Sequence, residues 1–217
     1  MLALFDIDGT LLLKATKAHA EAVIAAMRDV YGVHNPSKVE AAGRTDYEIA
    51  RAVCLLDGVT AARFDEGRQE FRIACVEAYC RLCPDDLSEF VAPGVPEMLE
   101  ELRARDGIRL ALLTGNLEPI AWLKMSRAGL AHFFERGQGG FGSDHEDRTE
   151  LPAIARKRAG GYPRSKTVIV GDTPRDIACA RADGVRCVAV ATGPFKAEEL
   201  AQADVVVRSA HELLDVL

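Results

Sequence analysis

Two carboxylates stand two residues apart near the start of this chain, in Phe5-Asp6-Ile7-Asp8-Gly9-Thr10. They follow the apolar run Leu2-Ala3-Leu4-Phe5, which reads as a buried strand ending in a turn. Residues two apart on a strand point the same way, so Asp6 and Asp8 project together from its tip. Such a pair is costly unless a cation or a shared proton relieves it; an acidic turn punctuated by glycine is the plainer alternative. Two later stretches end in similar groups. Thr114-Gly115-Asn116 offers a hydroxyl, an amide and a permissive backbone, suited to a phosphate or to capping the next helix. Gly171-Asp172-Thr173-Pro174-Arg175-Asp176 sets Asp172 at a strand tip and Asp176 about one helical turn later, where an acid also caps a helix N-terminus. Four acids along one edge repel one another. A hard cation with oxygen ligands relieves that repulsion, and Mg²⁺ fits best if a phosphate completes its shell.

The elements that must hold these groups follow from periodicity. Helical spacing covers 16–31, with Gly32 and Pro36 ending it, and continues over 46–56 and 61–82. Nothing between 14 and 90 reads as a buried strand. Pro93, Gly94 and Pro96 mark a boundary, after which short apolar runs alternate with helical stretches. Strands are predicted at 108–113, 168–170, 187–191 and 204–207. Helices are predicted at 97–105, 117–128, 149–159, 174–182 and 196–201, with one more running to the C-terminus, while 137–143 reads as irregular. This is the pattern of an α/β fold with a mainly parallel sheet. Ligands of such sheets bind beyond the carboxyl ends of the strands. The helical block 14–90 then interrupts the α/β unit after its first strand and is placed to overhang that edge. The division is a discontinuous core, 1–13 and 91–217, with a helical cap at 14–90.

Composition narrows the class. The 217 residues carry a formal charge of −6 with acids and bases mixed along the chain, which argues against a nucleic-acid binder. No stretch approaches a membrane span or a signal peptide, so a cytoplasmic soluble protein is expected. The six cysteines lack a compact framework and are expected to be reduced. Cys80-Arg81-Leu82-Cys83 is formally a CxxC, but it ends a helical pattern just before Pro84, without a second ligand pair, and reads as helix packing.

Together, Asp6-Ile7-Asp8-Gly9-Thr10, Leu112-Leu113-Thr114-Gly115-Asn116 and Gly171-Asp172 with Asp176 resemble, in order and spacing, the signatures of the haloacid dehalogenase-like superfamily. The resemblance spans essentially the whole chain. It implies a Rossmann-like parallel-sheet core with an all-helical cap after the first strand. Within it Asp6 is the nucleophile that forms an aspartyl-phosphate, and Asp8 is the acid and base for leaving alcohol and water. Asp6, the backbone carbonyl of Asp8 and Asp172 hold Mg²⁺, Asp176 supports them, and Thr114, Gly115 and Asn116 hold phosphoryl oxygens. Acidic neighbours are expected to push the Asp8 pKa up so that it keeps a proton. The family's lysine ahead of the last acidic signature is absent. Arg148 is its best positional match for phosphate binding, with a surface salt bridge as the alternative, and Lys157 lies further on. In the cap, Ala42-Gly43-Arg44-Thr45-Asp46 is similar to the substrate-recognition loop of the phosphoglycolate phosphatase and β-phosphoglucomutase branch. Arg44 and Thr45 there either meet a substrate anion or merely precede a capped helix. His19 and His145 stay undecided.

The second carboxylate, Asp8, favours an enzyme that expels an alcohol. The resemblance therefore implies a Mg²⁺-dependent phosphatase of a small phosphorylated metabolite. A sugar-phosphate phosphomutase is the enzymatic alternative, and a catalytically weak binding protein of the same fold the non-enzymatic one. A phospho-acceptor signalling module fits less well, since its acceptor would not sit on the first strand with a partner acid two residues later. Neither the substrate nor the oligomeric state is written in the sequence.

Overall fold

The computed structural model describes residues 1–217. Six short parallel strands form one sheet: β1 (Leu2–Phe5), β2 (Arg109–Thr114), β3 (Gly140–Phe141), β4 (Thr167–Gly171), β5 (Arg186–Val190) and β6 (Val205–Val207), in the order β3-β2-β1-β4-β5-β6. The strands are apolar along their length because both faces are covered. Ala3, Phe5, Leu110, Leu112, Val168, Val170, Val188 and Val190 belong to one apolar cluster with α5 (Val95–Ala104), α6 (Glu118–Arg127) and α9 (Ala210–Val216). Their alternates Leu2, Leu4, Ala111, Leu113, Ile169, Cys187 and Ala189 join α7 (Leu151–Arg158) and α8 (Pro174–Asp183) on the other side. This is the expected Rossmann-like α/β core. Its strand order reverses at β1, so the crevice between the ends of β1 and β4 is the topological switch point where such sheets bind ligands.

Between β1 and α5 the chain forms only helices: α1 (Lys17–Tyr31), α2 (Asp46–Leu56), α3 (Ala61–Glu66) and α4 (Arg68–Leu82). Alanines 22 and 26 with Met27, Phe64, Phe71 and Cys75 are buried among them. Two crossing segments join this block to the sheet. Leu13 N–H donates to the Phe90 carbonyl at 2.7 Å, and Ala92 N–H donates to the Leu11 carbonyl at 3.0 Å. No helix is long and apolar enough to cross a membrane.

Three expected elements differ. The segment 61–82 is split at Gly67, whose close neighbour Tyr31 leaves no room for a side chain. Residues 196–201 form turns instead of a helix. The stretch read as irregular contains β3, two residues long, paired to the end of β2 through Leu113 with Gly140 and Thr114 with Phe141. A strand this short and glycine-rich has no alternation to betray it. All six cysteines are free thiols; Cys83 is buried at the end of α4 and Cys80 is exposed.

Candidate active site

Asp6 leaves the end of β1 buried, its N–H donating to the Val170 carbonyl of β4 at 2.9 Å. Asp172, one residue beyond β4, and Asp176, in the first turn of α8, are fully buried beside it. Carboxylate oxygens of Asp6, Asp172 and Asp176 lie within 4.8 Å of one another. Gly9 and Gly193 make this possible: a Cβ at either would collide with the Asp172 carboxylate. Thr10 Oγ1 donates to Asp172 Oδ1 at 3.1 Å, while Asp172 Oδ2 is buried without a hydrogen-bond partner. Burial first, then the neighbouring Asp6 and Asp176, pushes Asp172 up to about 8. Burial likewise pushes Asp6 up to about 7, against the pull of Arg148. Three converging carboxylates, one with an unused buried oxygen, could hold a hard divalent cation.

Asp176 also does what helix chemistry asks of it. It forms a capping box with Thr173, whose N–H and hydroxyl donate to Asp176 Oδ2 at 3.0 and 2.7 Å. The capping role is thus observed, and it uses only one of the two carboxylate oxygens. Its other oxygen, Oδ1, accepts from Arg148.

Arg148 is not a surface ion-pair residue. It is 4% exposed, and its Nη2 lies 3.1 Å from Asp6 Oδ1 as well as against Asp176. Its Nη1 donates to the Gly43 carbonyl at 2.9 Å. One planar guanidinium thus joins both acids and the loop before α2, a geometry that a single ammonium would not reproduce. Burial opposes its charge, but Asp176 and Asp6 more than compensate and hold it protonated. Lys157 is exposed on α7 and takes no part.

The charge state of Asp8 departs from expectation. Its carboxylate is outside the acidic cluster and lies on Lys124, with Nζ 2.8 and 2.6 Å from its two oxygens. Asn116 Nδ2 donates to the same carboxylate at 3.0 Å. Burial alone would push Asp8 up, but Lys124, with these hydrogen bonds, holds it below the usual carboxylate range. The expectation of a raised Asp8 is therefore overturned: without a metal ion burial raises Asp6 and Asp172, while Asp8 is held low. A buried cation is the reason, where the sequence reading counted only acids.

Lys124, fully buried on α6, is the site residue that sequence reasoning missed. The available signal was its place on the apolar stripe: Leu117, Ala121, Lys124 and Ala128 recur at helical spacing and are all buried. His19 faces the site from α1, its Nδ1 3.2 Å from Lys124 Nζ and its Nε2 3.1 Å from Asp46 Oδ2. His145 does not: it is on the surface, its Nδ1 accepting from Asp147 N–H at 3.0 Å.

The remaining expected residues gather at the seam between helices and sheet. Thr114 is buried, its Oγ1 accepting from Asn116 N–H at 3.3 Å. Gly115 lies so close to the Arg44 carbonyl that a Cβ would collide with it, and its own carbonyl accepts from Asp46 N–H at 2.9 Å. Thr45 caps α2 through Glu48 N–H at 3.1 Å and donates to the Glu146 carbonyl at 2.6 Å. The Arg44 guanidinium pairs with Glu48 at 3.4 Å, and its Nε is buried without a partner. The loop thus both precedes a capped helix and abuts the strand ends.

The family model of haloacid dehalogenase-like hydrolases (HAD) matches residues 3–181. The chain is 32% identical over 127 residues to a phosphoglycolate phosphatase of Chromobacterium violaceum, a match covering 58% of this chain and 56% of that relative, so the chain spans about half of that relative's length. Matches to phosphoglycolate phosphatases of Pseudomonas syringae cover 38% of theirs. A probable phosphatase, IndB of Dickeya dadantii, is 27% identical over 98% of this chain and 94% of its own. The fold is that of CbbY from Rhodobacter sphaeroides, solved in complex with phosphate: TM-score 0.69 at 20% identity, over 98% of this chain and 95% of that one. With its three signatures gathered at the switch point of a six-stranded parallel sheet, the chain belongs to the haloacid dehalogenase-like hydrolase family.

Proposed function

We propose that this protein is a Mg²⁺-dependent phosphatase that hydrolyses a small phosphorylated metabolite through an aspartyl-phosphate on Asp6. The carrying observation is the division of labour between two carboxylates two residues apart. Asp6 sits with Asp172 and Asp176 under Arg148, while Asp8 is drawn aside to Lys124 and Asn116. A nucleophile and a proton carrier need such separate surroundings.

Asp6, the Asp8 carbonyl and Asp172 would hold the ion, with Asp176 in support. A bound Mg²⁺ would supply charge neutralisation for the acids and the phosphoryl group. Arg148 keeps positive charge against Asp6, favouring the carboxylate form that attacks phosphorus. Thr114, Gly115 and Asn116, at the end of β2 beside Asp8, are suited to hold phosphoryl oxygens. Asp8, ionised before substrate arrives, is ready to take the proton of the water that resolves the aspartyl-phosphate. The dianionic phosphoryl group of an incoming ester moves a neighbouring carboxyl upward, which lets Asp8 carry the proton that the leaving alcohol needs.

The helical insertion, residues 14–90, acts in this reading as the cap. Its loop 42–46 abuts Gly115, and Gly43 is tied to Arg148, so closure would exclude water. Phosphoglycolate is the first candidate, because several of the relatives carry that activity in their names. The test is phosphate release from phosphoglycolate and from p-nitrophenyl phosphate with and without Mg²⁺. Release that needs Mg²⁺ and vanishes in Asp6→Asn is expected. Release that survives Asp6→Asn undiminished sinks the mechanism, and isomerised sugar phosphate without free phosphate would instead assign a mutase.

A further inference from the structure

Lys124 is fully buried, and every donor of its ammonium is spent. It bonds both oxygens of Asp8 at 2.8 and 2.6 Å and His19 at 3.2 Å. An ammonium has no lone pair, so His19 Nδ1 must accept and its Nε2 must carry the proton, which goes to Asp46 Oδ2 at 3.1 Å. Asp46 Oδ2 also accepts from Leu117 N–H, just ahead of α6, at 2.8 Å. The Tyr79 ring of α4 packs edge-on against His19, with centroids 5.5 Å apart. A buried chain, Asp8–Lys124–His19–Asp46, thus runs from the end of β1 through α6 into α1 and α2 of the insertion.

We propose that Lys124 is the positioning residue for Asp8, and that His19 and Asp46 complete it only when the inserted helices are seated on the sheet. Lys124 draws the Asp8 carboxylate away from the Asp6–Asp172–Asp176 cluster and, with Asn116, gives it one orientation. Without that bidentate anchor, Asp8 has acids on one side and only the Asn116 amide on the other. Seating of the insertion supplies the third acceptor of Lys124, so the orientation of Asp8 is tied to closure. The helices that admit the substrate thereby set the group that serves its leaving oxygen.

This inference rests on the phosphatase reading. In the step concerned, an Asp6 oxygen bonds to phosphorus while the bond from phosphorus to the ester oxygen breaks. The electron pair goes to that oxygen, and an alkoxide takes from Asp8 the proton that Asp8 acquired from solvent as the phosphoryl dianion entered, leaving Asp8 ionised. A nitrophenolate leaves without one. The readout is therefore kcat/KM, which reports the chemistry up to departure of the leaving group, for phosphoglycolate and p-nitrophenyl phosphate side by side. Lys124→Met is expected to lower the alkyl-ester value by about 10²-fold or more and the aryl-ester value by no more than about 3-fold, the span of general acid catalysis. His19→Ala, which leaves the Lys124–Asp8 pair in place, is expected to give the same preference at about tenfold. Equal losses for both esters, or an unchanged or raised alkyl-ester value, overturn the proposal. A merely structural lysine would lower both alike. If Lys124→Met does not fold, His19→Ala decides by the same ratio. Should the wild type hydrolyse neither ester, the phosphatase reading falls, and crystal structures of the two variants still decide the positioning claim. An Asp8 carboxylate turned off its present direction supports it, and one unmoved in both variants refutes it.

Discussion

Replacing Arg148 with Met removes the positive charge lying against Asp6 and Asp176 and the donor to the Gly43 carbonyl, at a residue 4% exposed. Methionine roughly fills the volume, so the cost is electrostatic. Breaking a buried ion pair from one side costs about 3–5 kcal/mol, because a charge is left buried and unpaired. For a chain of 217 residues, where 1 kcal/mol shifts Tm by about 2–4 °C, that amounts to a fall of about 6–20 °C. The sign with pH follows from Asp6, whose carboxyl stands at about 7 even with Arg148 pulling it down. Without Arg148 it rises further. The folded variant then binds a proton that the unfolded chain has released above about 4, so its stability falls as pH rises through that interval. The Tm deficit against wild type should be larger at pH 8 than at pH 5, where a protonated Asp6 leaves less charge unpaired. Mg²⁺ should recover part of it. Hydrolysis of p-nitrophenyl phosphate at pH 7 should fall by about 10²–10³-fold, the usual effect of losing one preorganised charge-stabilising group. Arg148→Lys should keep part of the charge pairing but lose the tie to Gly43. A Tm deficit in Arg148→Met below about 3 °C at pH 8, or one no larger than at pH 5, would refute the reasoning.

Other outcomes follow from the same geometry. Metal-free wild type should lose stability from pH 5 to pH 8, because Asp6 at about 7 and Asp172 at about 8 titrate above their unfolded values; Mg²⁺ should raise Tm more at pH 8 than at pH 5, by calorimetry. Asp8 works in the opposite direction: its carboxylate contributes stability at neutral pH that disappears as pH falls below about 4, through its lowered folded pKa. Gly115→Ala pushes a methyl group into the Arg44 carbonyl, so kcat/KM should drop by about 10²-fold as the loop is displaced, measured by steady-state kinetics; unchanged kinetics would show that this loop need not seat on β2. Thr45→Val removes the cap of α2 and the bond to Glu146, and should cost about 1 kcal/mol or somewhat more in a urea titration.

What could be read from the residue order was whatever depends on local spacing. The strand before Asp6, the glycines that allow turns, the helices without strands between 14 and 90, and the three polar strand ends are statements about neighbours in sequence. Backbone geometry turns these into direction. Parallel strands then force their carboxyl ends to one edge, so the gathering of Asp6, Thr114 and Asp172 followed from topology alone. The charge state of the site was not legible in this way. It depends on which cation lies against which acid, and those cations come from distant parts of the chain. Lys124 reaches Asp8 from 116 residues away, and Arg148 joins Asp176 across 28 residues and Gly43 across 105. Burial multiplies such contacts, because in a dry interior a few ångströms decide whether a carboxyl stands above or below its ordinary pKa. Hence Asp6 and Asp8, equivalent as letters two places apart, became a raised carboxyl under an arginine and an ionised one on a lysine only when α6 and the turn ahead of α7 packed against the end of β1.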